Sequence, residues 1–287
     1  MKFGEKIVVF ISGERGLVTI SELIKNNIKI DLIVLSYGFK LLSFFEKHIE
    51  LNKEKVKNVN DPDFINKLSK LKPDIFIVAG FPQIFSKELL CVPNKLTINQ
   101  HAGSLPKYRG GSPLNWQIIQ GEKNIGISLI KMDEGIDSGK VILEDNFLLA
   151  DNENISDAHR KSNKLFAAMT IMALNLIEQN KLELKSQKEK DAIYWHQRSP
   201  IDGKIDWRGT KAEDIVNLIR ALTFPYPGSF TFKENLKIII FSAVIPEIMI
   251  KGNPGRVLYL QGKGPYVICS DRAILLTKYS FDGLEDL

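Results

Sequence analysis

The chain has 287 residues, 44% hydrophobic and 25% charged, a composition typical of a globular protein with a buried core and a length that favours two domains. Its 39 basic and 34 acidic residues give a mixed surface with a net charge of +5, which does not by itself indicate nucleic acid binding. Neither a membrane-length apolar run nor a signal-peptide pattern is present. Cys91 and Cys269 lack the spacing of metal ligands, so we expect reduced thiols, a cytoplasmic protein and no metal.

The first half of the chain alternates strand signals with helix signals. Near-continuous apolar runs predict buried strands at 6–12, 30–35 and 74–79. Helices are predicted after Gly16, over 41–49, and after Asp61, which acts as an N-cap before a proline. The charged residues 50–57 are interpreted as a solvated face. This rhythm predicts an α/β fold, a Rossmann-like mostly parallel sheet with helices on both faces.

The second half changes character after a long predicted helix over 155–179. The polar segment 181–191 is the best linker candidate, and a helix is predicted over 212–222. Five short apolar runs separated by turns then predict a small antiparallel sheet or barrel. We therefore divide the chain into a catalytic domain, 1–190, and a smaller C-terminal β-rich domain, 191–287.

Asn99 and His101 follow the short apolar stretch 96–98 and precede a loop rich in glycine, proline and serine. Two residues apart on an extended strand, their side chains point to the same side. An amide that holds an oxyanion beside an imidazole that moves a proton suits acyl transfer. Spacing and residue type alone fit equally well a polar strand end with a solvated histidine.

A second polar loop, residues 131–140, follows the apolar run 125–130 and precedes another at 141–143. It carries Asp137 in the pattern Asp-x-Gly-x-Asp-x-Gly. A carboxylate on the loop of a neighbouring strand could orient the imidazole of His101 and support its protonated form.

These two stretches together resemble the folate-dependent formyltransferase family. The first reads Asn99-Gln100-His101-Ala102-Gly103-Ser104-Leu105-Pro106-Lys107-Tyr108-Arg109-Gly110, and the second is the Asp137 motif. The family includes methionyl-tRNA formyltransferase, glycinamide ribonucleotide formyltransferase and the nucleotide-linked sugar N-formyltransferases. The resemblance implies a formyl transfer from N10-formyltetrahydrofolate to a primary amine, and a C-terminal domain of the oligonucleotide-binding (OB) type.

The resemblance also implies roles for individual residues. Asn99, His101 and Asp137 would be catalytic, the first two at the oxyanion and the third behind the imidazole. The loop after the third predicted strand would line the pteridine pocket, where residue patterns alone favour an ordinary hydrophobic turn. The expected donor-binding residues are Phe81, Pro82, Gln83, Ile84, Phe85 and Ile136.

Three kinds of enzyme in the family differ in the acceptor that they formylate. The glycinamide enzymes lack a C-terminal domain, and the tRNA enzymes typically carry a basic insertion where residues 36–42 of this chain are apolar and aromatic. The motif's continuation, together with the segment 198–207, resembles the sugar enzymes. An arginine there could meet a diphosphate, or be a surface residue at a domain junction, and an aromatic ring could stack on a base. The expected acceptor-binding residues are Ser104, Tyr108, Arg109, Gly110, Gly111, Trp195 and Arg198.

The sequence therefore predicts an enzyme that formylates a dTDP- or UDP-linked amino sugar for surface polysaccharide (O-antigen) synthesis. Its partners would be the sugar nucleotide and the folate, with neither nucleic acid nor membrane, and by analogy with relatives it would form a homodimer. Methionyl-tRNA formyltransferase is the alternative. A non-catalytic nucleotide- or carbohydrate-binding protein on the same fold is the second alternative.

Overall fold

The computed structural model describes residues 4–39 and 52–282. The chain forms two compact units, each assembled from three segments. The first unit comprises Met1–Gly110, Gly126–Phe147 and Arg160–Tyr194, and the second comprises Gly111–Ile125, Leu148–His159 and Trp195–Leu287. The predicted domain boundary at residue 190 stays a prediction.

The first eight strands of the chain are β1 (Ile7–Ile11), β2 (Leu32–Ser36), β3 (Lys53–Val56), β4 (Ile75–Ala79), β5 (Leu96–His101), β6 (Arg109–Gly110), β7 (Asn124–Lys131) and β8 (Val141–Leu148). Seven of them, all except β6, form one sheet in the order β3-β2-β1-β4-β5-β7-β8. Neighbours from β3 to β5 pair in parallel, whereas β7 runs antiparallel to β5. The mostly parallel sheet is confirmed.

Helices of the first unit pack on both faces of this sheet. Those that lie wholly or mostly in this unit are α1 (Gly13–Lys25), α2 (Pro62–Leu71), α3 (Lys87–Leu90) and α5 (Ile155–Glu178), while α4 (Pro113–Ile119) belongs to the second unit. Phe64 and Leu68 of α2 share a buried cluster with Val8 and Phe10 of β1. Gly16 of α1 lies on the opposite face, where an added β-carbon would come within 2.4 Å of Ile11 Cβ. Buried on both faces, β1 is apolar at every position, as a central parallel strand must be.

The sequence predicts the cap of α2 but not the edge strand β3. Asp61 caps α2 as expected, because its carboxylate accepts hydrogen bonds from the backbone N–H groups of Asp63 and Phe64. Residues 53–56 of the charged segment 50–57 form the edge strand β3 against β2, which the sequence did not predict, while Lys53 and Lys55 are exposed as the interpretation of a solvated face expects. Backbone pairing requires no apolar side chains at a sheet edge, so the pattern gave no signal. The helix predicted over 41–49 lies outside the described residues.

The second unit contains a five-stranded sheet in the order β10-β11-β14-β13-β12, antiparallel throughout, as predicted. Ile215 and Ile219 of its helix α6 lie in a buried cluster with Ile240 and Ile274 of the sheet. The remaining elements are β9 (Tyr194–Trp195), α6 (Ala212–Leu222), β10 (Ser229–Lys233), β11 (Leu236–Val244), β12 (Val257–Leu260), β13 (Lys263–Ile268) and β14 (Ala273–Phe281), with short 3-10 helices at Glu189–Asp191 and Pro200–Gly203. Within the described residues, no helix is long and apolar enough to cross a membrane.

Candidate active site

Strand β5 directs Asn99 and His101 to one face of the sheet, as their spacing predicts. Gln100, between them, points to the other face, where its amide bonds to the hydroxyls of Thr19 in α1 and Thr170 in α5. Because side chains alternate along a strand, Asn99 and His101 share the face opposite these helices. His101 is 5% exposed and Asn99 half-buried, and the side chain of Asn99 has no hydrogen bond within the described parts of the chain.

The imidazole of His101 is held at both ring nitrogens. Its Nε2 lies 2.6 Å from the backbone oxygen of Tyr108, and its Nδ1 lies 3.3 Å from Oδ1 of Asp137. A carbonyl oxygen only accepts hydrogen bonds, so Nε2 carries the proton there. Nδ1 faces the carboxylate of Asp137, which would accept a hydrogen bond from a proton on that nitrogen. The role of His101 as a direct donor to an oxyanion stays a prediction, since both ring nitrogens already face oxygen atoms of the protein.

Asp137 lies on the loop between β7 and β8, in the left-handed region at φ 51°. Its Oδ2 accepts a 2.9 Å hydrogen bond from the backbone N–H of Gly110. Burial acts to raise the pKa of this carboxyl, but the hydrogen bond and charge of His101, the Gly110 N–H and the charge of Arg109 together outweigh it. The pKa of Asp137 therefore lies below its ordinary value, and the carboxylate is ionised at neutral pH.

The last position of the Asp137 motif is glycine for a steric reason. A β-carbon at Gly139 would lie 1.9 Å from the backbone oxygen of Lys131, so a larger residue would push the returning chain away from β7. The motif thus brings the chain back against β7 directly after Asp137.

Arg109 is fully buried, and its guanidinium is hydrogen-bonded inside the first unit. Nη1 and Nη2 each lie 2.9 Å from a carboxylate oxygen of Glu189, and Nη1 also donates to the Tyr194 hydroxyl at 2.6 Å. Nε donates at 3.0 Å to Oε1 of Gln187. Sequence reasoning missed Gln187, Glu189 and Tyr194, because a polar segment with linker composition carries no signal for long-range contacts.

The predicted donor-binding residues fall into two groups. Phe81 and Phe85 are buried and pack edge-on against Phe10, while Gln83 bonds to the backbone of residues 57 and 59. By contrast Ile84 is 74% exposed and Ile136 55% exposed, and Pro82 is also exposed. The exposed apolar side chains are therefore the ones available to a ligand, and the roles of all six residues stay predictions.

The predicted acceptor-binding residues lie in both units. In the first, Ser104 is exposed and Gly110 half-buried, while Tyr108 is 6% exposed and presents its backbone oxygen to His101. In the second, Trp195 stacks on Trp116 with 4.8 Å between ring centroids. Gly111 passes so close to Gln197 that an added β-carbon would lie 2.4 Å from its Cα. Their roles in acceptor binding stay predictions.

Arg198 borders a cavity of about 90 Å³ within the second unit. The other residues that line the cavity are Ser112, Gln197, Ser199, Pro200, Leu222, Tyr226, Pro227 and Gly228. The Nε atom of Arg198 is buried and has no hydrogen-bond partner within the described residues. Burial lowers the pKa of this guanidinium, against the charges of Asp202 and Tyr226. A desolvated cation without a bonded anion is a candidate binder for an anionic ligand.

Comparisons with known proteins agree on the family. The Formyl transferase family matches residues 5–174, and its C-terminal domain matches residues 185–286. The methionyl-tRNA formyltransferase of Clostridium tetani is 35% identical over 222 residues, covering 77% of this chain and 71% of that protein. The bifunctional polymyxin resistance protein ArnA of Wigglesworthia glossinidia brevipalpis is 35% identical over 263 residues, covering 88% of this chain but only 40% of that protein.

A solved structure shares the fold over nearly the whole chain. It is the N-formyltransferase of Helicobacter canadensis in complex with folinic acid and dTDP-3-aminofucose, which superposes with a TM-score of 0.76 at 20% identity. The match covers 96% of this chain and all of the other. At that identity it shows the fold alone, whereas the family matches span both parts of the sequence. The chain belongs to the formyltransferase family.

Proposed function

We propose that this enzyme transfers the formyl group of N10-formyltetrahydrofolate to the primary amine of a nucleotide-linked amino sugar of the dTDP or UDP type. The observation that carries the chemistry is the contact between His101 and Asp137, with Asn99 on the same face of β5. The observation that favours this acceptor is the guanidinium of Arg198, which borders a cavity and leaves its Nε unpaired. A diphosphate is the group that such an arginine recognises.

Asn99 and the His101–Asp137 pair account for the chemical step. As the amine adds to the formyl carbon, negative charge develops on the formyl oxygen, and the free amide of Asn99 can donate a hydrogen bond to it. The amine must lose a proton, and we assign its acceptance to the His101–Asp137 pair, in which Asp137 is the more exposed member. The bond from the formyl carbon to N10 then breaks, and N10 takes up the proton that the pair accepted.

The donor site fits the residues at hand. When bound, the folate supplies an activated formyl group on N10. Ile84 and Ile136 present exposed apolar side chains from the loops after β4 and β7, which suits a flat pteridine ring.

The acceptor class is also supported outside the Arg198 cavity. Residues 36–42, the segment where the tRNA enzymes carry a basic insertion, read Ser-Tyr-Gly-Phe-Lys-Leu-Leu and hold one basic residue, Lys40. The structural relative from Helicobacter canadensis binds a dTDP-amino sugar. We extend the proposal to surface polysaccharide synthesis and a homodimer by analogy only. A cytoplasmic location is supported by the two free cysteines.

A second acceptor class is favoured by sequence identity. The Clostridium tetani relative, at 35% identity, is a methionyl-tRNA formyltransferase. An enzyme of that class would use a charged initiator tRNA in place of the sugar nucleotide and would keep the same chemistry at His101.

The test is a panel of acceptors incubated with N10-formyltetrahydrofolate and the purified protein. The panel contains dTDP-, UDP- and CDP-linked 3- and 4-amino sugars, and initiator tRNA with and without methionine, with products read by mass spectrometry. We expect formylation of a sugar nucleotide, lost in Asn99→Ala and His101→Ala but kept in Asn175→Ala, an exposed asparagine on α5.

Each other outcome contradicts a defined part of the proposal. Formylation of charged tRNA alone would replace the acceptor and keep the chemistry. Silence on every acceptor, with folate still bound, would favour a non-catalytic binding protein. An active Asn99→Ala enzyme would remove Asn99 from the mechanism.

A further inference from the structure

We propose that Gln187 is a positioning residue that holds the Asp137 loop in its reactive conformation. This inference rests on the proposed catalytic role of Asp137. Gln187 lies 50 residues further along the chain, in the segment that sequence composition marks as a linker. Its side chain nonetheless bonds to the backbone oxygens of Asp137 and Gly139 in the first unit.

The amide of Gln187 uses both N–H groups on the loop. Its Nε2 lies 2.8 Å from the backbone oxygen of Asp137 and 2.7 Å from that of Gly139. These two oxygens flank Ser138, so one side chain clamps the turn that follows the catalytic carboxylate. Without these donors, two carbonyl groups of the loop would need other partners.

Arg109 fixes which way the Gln187 amide points. The Nε–H of Arg109 only donates, so the atom it meets at 3.0 Å is Oε1, and the NH₂ group faces the loop. Arg109 in turn is fixed by its two bonds to Glu189 and one to Tyr194. The chain of contacts therefore runs from Glu189 through Arg109 and Gln187 to the backbone of Asp137.

The backbone that carries Gln187 is tied to the same loop. Lys185 and Val141, the first residue of β8, exchange two backbone hydrogen bonds at 2.8 and 2.9 Å. Gln187 thus follows a short antiparallel bridge to the strand that begins where the Asp137 loop ends. Its position relative to the loop is set by backbone as well as by side-chain contacts.

The Asp137 loop needs such support because of its conformation. Asp137 lies at φ 51°, in the left-handed region, which aspartate adopts more readily than most residues but still at a cost relative to the common backbone conformations. Its carboxylate must also reach two partners in different directions, His101 and the Gly110 N–H. A small rotation of the loop would lengthen the 3.3 Å contact with His101.

The experiment compares Gln187→Met, which removes both donors and the acceptor, with Gln187→Glu, which keeps an oxygen for Arg109 and removes the N–H donors. Gln179→Met, at an exposed glutamine of the same unit, is the matched control. We expect both Gln187 variants to lower kcat on the order of 10²-fold with little change in the acceptor KM, because misplacement of a catalytic group costs about that much. The control should keep wild-type kinetics.

The pH profile of kcat/KM separates positioning from a general loss of stability. In Gln187→Met it should move in the same direction as in Asp137→Asn, because both alter the His101–Asp137 pair, while thermal unfolding reports whether the variant is folded. Wild-type kcat and pH profile in a folded Gln187→Met enzyme would overturn the proposal, as would wild-type behaviour of Gln187→Glu. If Asp137→Asn is itself fully active, the catalytic role of Asp137 fails and this inference fails with it. An inactive Asp137→Asn beside a normal Gln187→Met would overturn this inference alone.

Discussion

Arg109 and Arg198 stand in motifs of the same protein, and the sequence predicts both as acceptor contacts, yet their surroundings differ. Arg109 has no exposed surface, and its three guanidinium nitrogens are bonded to Gln187, Glu189 and Tyr194. Arg198 is half-buried beside a cavity, and its Nε meets no partner within the described residues. All three guanidinium nitrogens of Arg109 are therefore paired within the protein, whereas Arg198 keeps an unpaired buried Nε among the described residues.

This difference teaches how to assign a role to an arginine in a motif. Burying a guanidinium is costly unless its donors are paired, so a saturated arginine contributes to the fold and to positioning. An arginine with an unpaired buried donor retains the free-energy cost of desolvation unless a ligand supplies the hydrogen-bond acceptor. We therefore expect variants of Arg109 to change stability and kcat, and variants of Arg198 to change the KM of the acceptor.

The largest loss of kcat is expected at His101, and the losses in the two arginine variants are compared with it. His101→Ala should lower kcat by about 10²- to 10⁴-fold, because it removes the imidazole of the proton-accepting pair. Product formation by mass spectrometry under single-turnover conditions measures it. A loss no greater than that of either arginine variant would mean that the chemistry is elsewhere.

Arg109→Lys should be the next most harmful change, although it keeps the charge. A lysine cannot bond to Glu189 through two nitrogens and to Gln187 at the same time. We expect a loss of on the order of 2 kcal/mol in the free energy of unfolding, measured by urea denaturation, and a reduced kcat with the acceptor KM little changed. A raised KM at constant stability would instead make Arg109 a substrate contact and break the comparison.

Arg198→Ala should do the opposite. We expect the KM of the sugar nucleotide to rise about tenfold, with kcat and the free energy of unfolding little changed, because one charged hydrogen bond to a phosphate is lost. Steady-state kinetics with the acceptor identified in the panel measures it. Unchanged KM with reduced stability would show that both arginines serve the fold.

The smallest effect is expected at Glu189, which is 74% exposed at its side chain. The hydrogen bond from Arg109 holds the pKa of Glu189 below its ordinary value of 4.5, with the charge of Arg109 adding to it against a small effect of burial. A lowered pKa gives stability that is present above the ordinary value and lost as pH falls through the folded value. Glu189→Gln should therefore have a slightly lower Tm than wild type at neutral pH, and the gap should close below about pH 4. A gap independent of pH would mean that the charge is not what holds Arg109.

Much of the fold was predictable because its signals are local. The apolar runs of β1, β2 and β4 need no knowledge of neighbours, and Asp61 caps α2 through atoms two and three residues away. The edge strand β3 was not predictable, because it pairs through the backbone while three of its four side chains are charged and only Val56 is buried.

The candidate site divides in the same way. The shared face of Asn99 and His101 follows from strand geometry, and the Asp137 loop follows from its motif. The partners of Arg109 could not be predicted, since Gln187, Glu189 and Tyr194 lie 78 to 85 residues away in the sequence.

The sequence by itself determined the class of fold, the family and the residues that we propose for catalysis. Those conclusions depend on periodicity, capping and motifs, which act over a few residues. Only the tertiary structure decided that Arg109 is saturated, that Arg198 is not, and that Gln187 lies behind Asp137. The reason is physical: whether a polar group is paired depends on what the folded chain brings to it, and residue order does not record those distances.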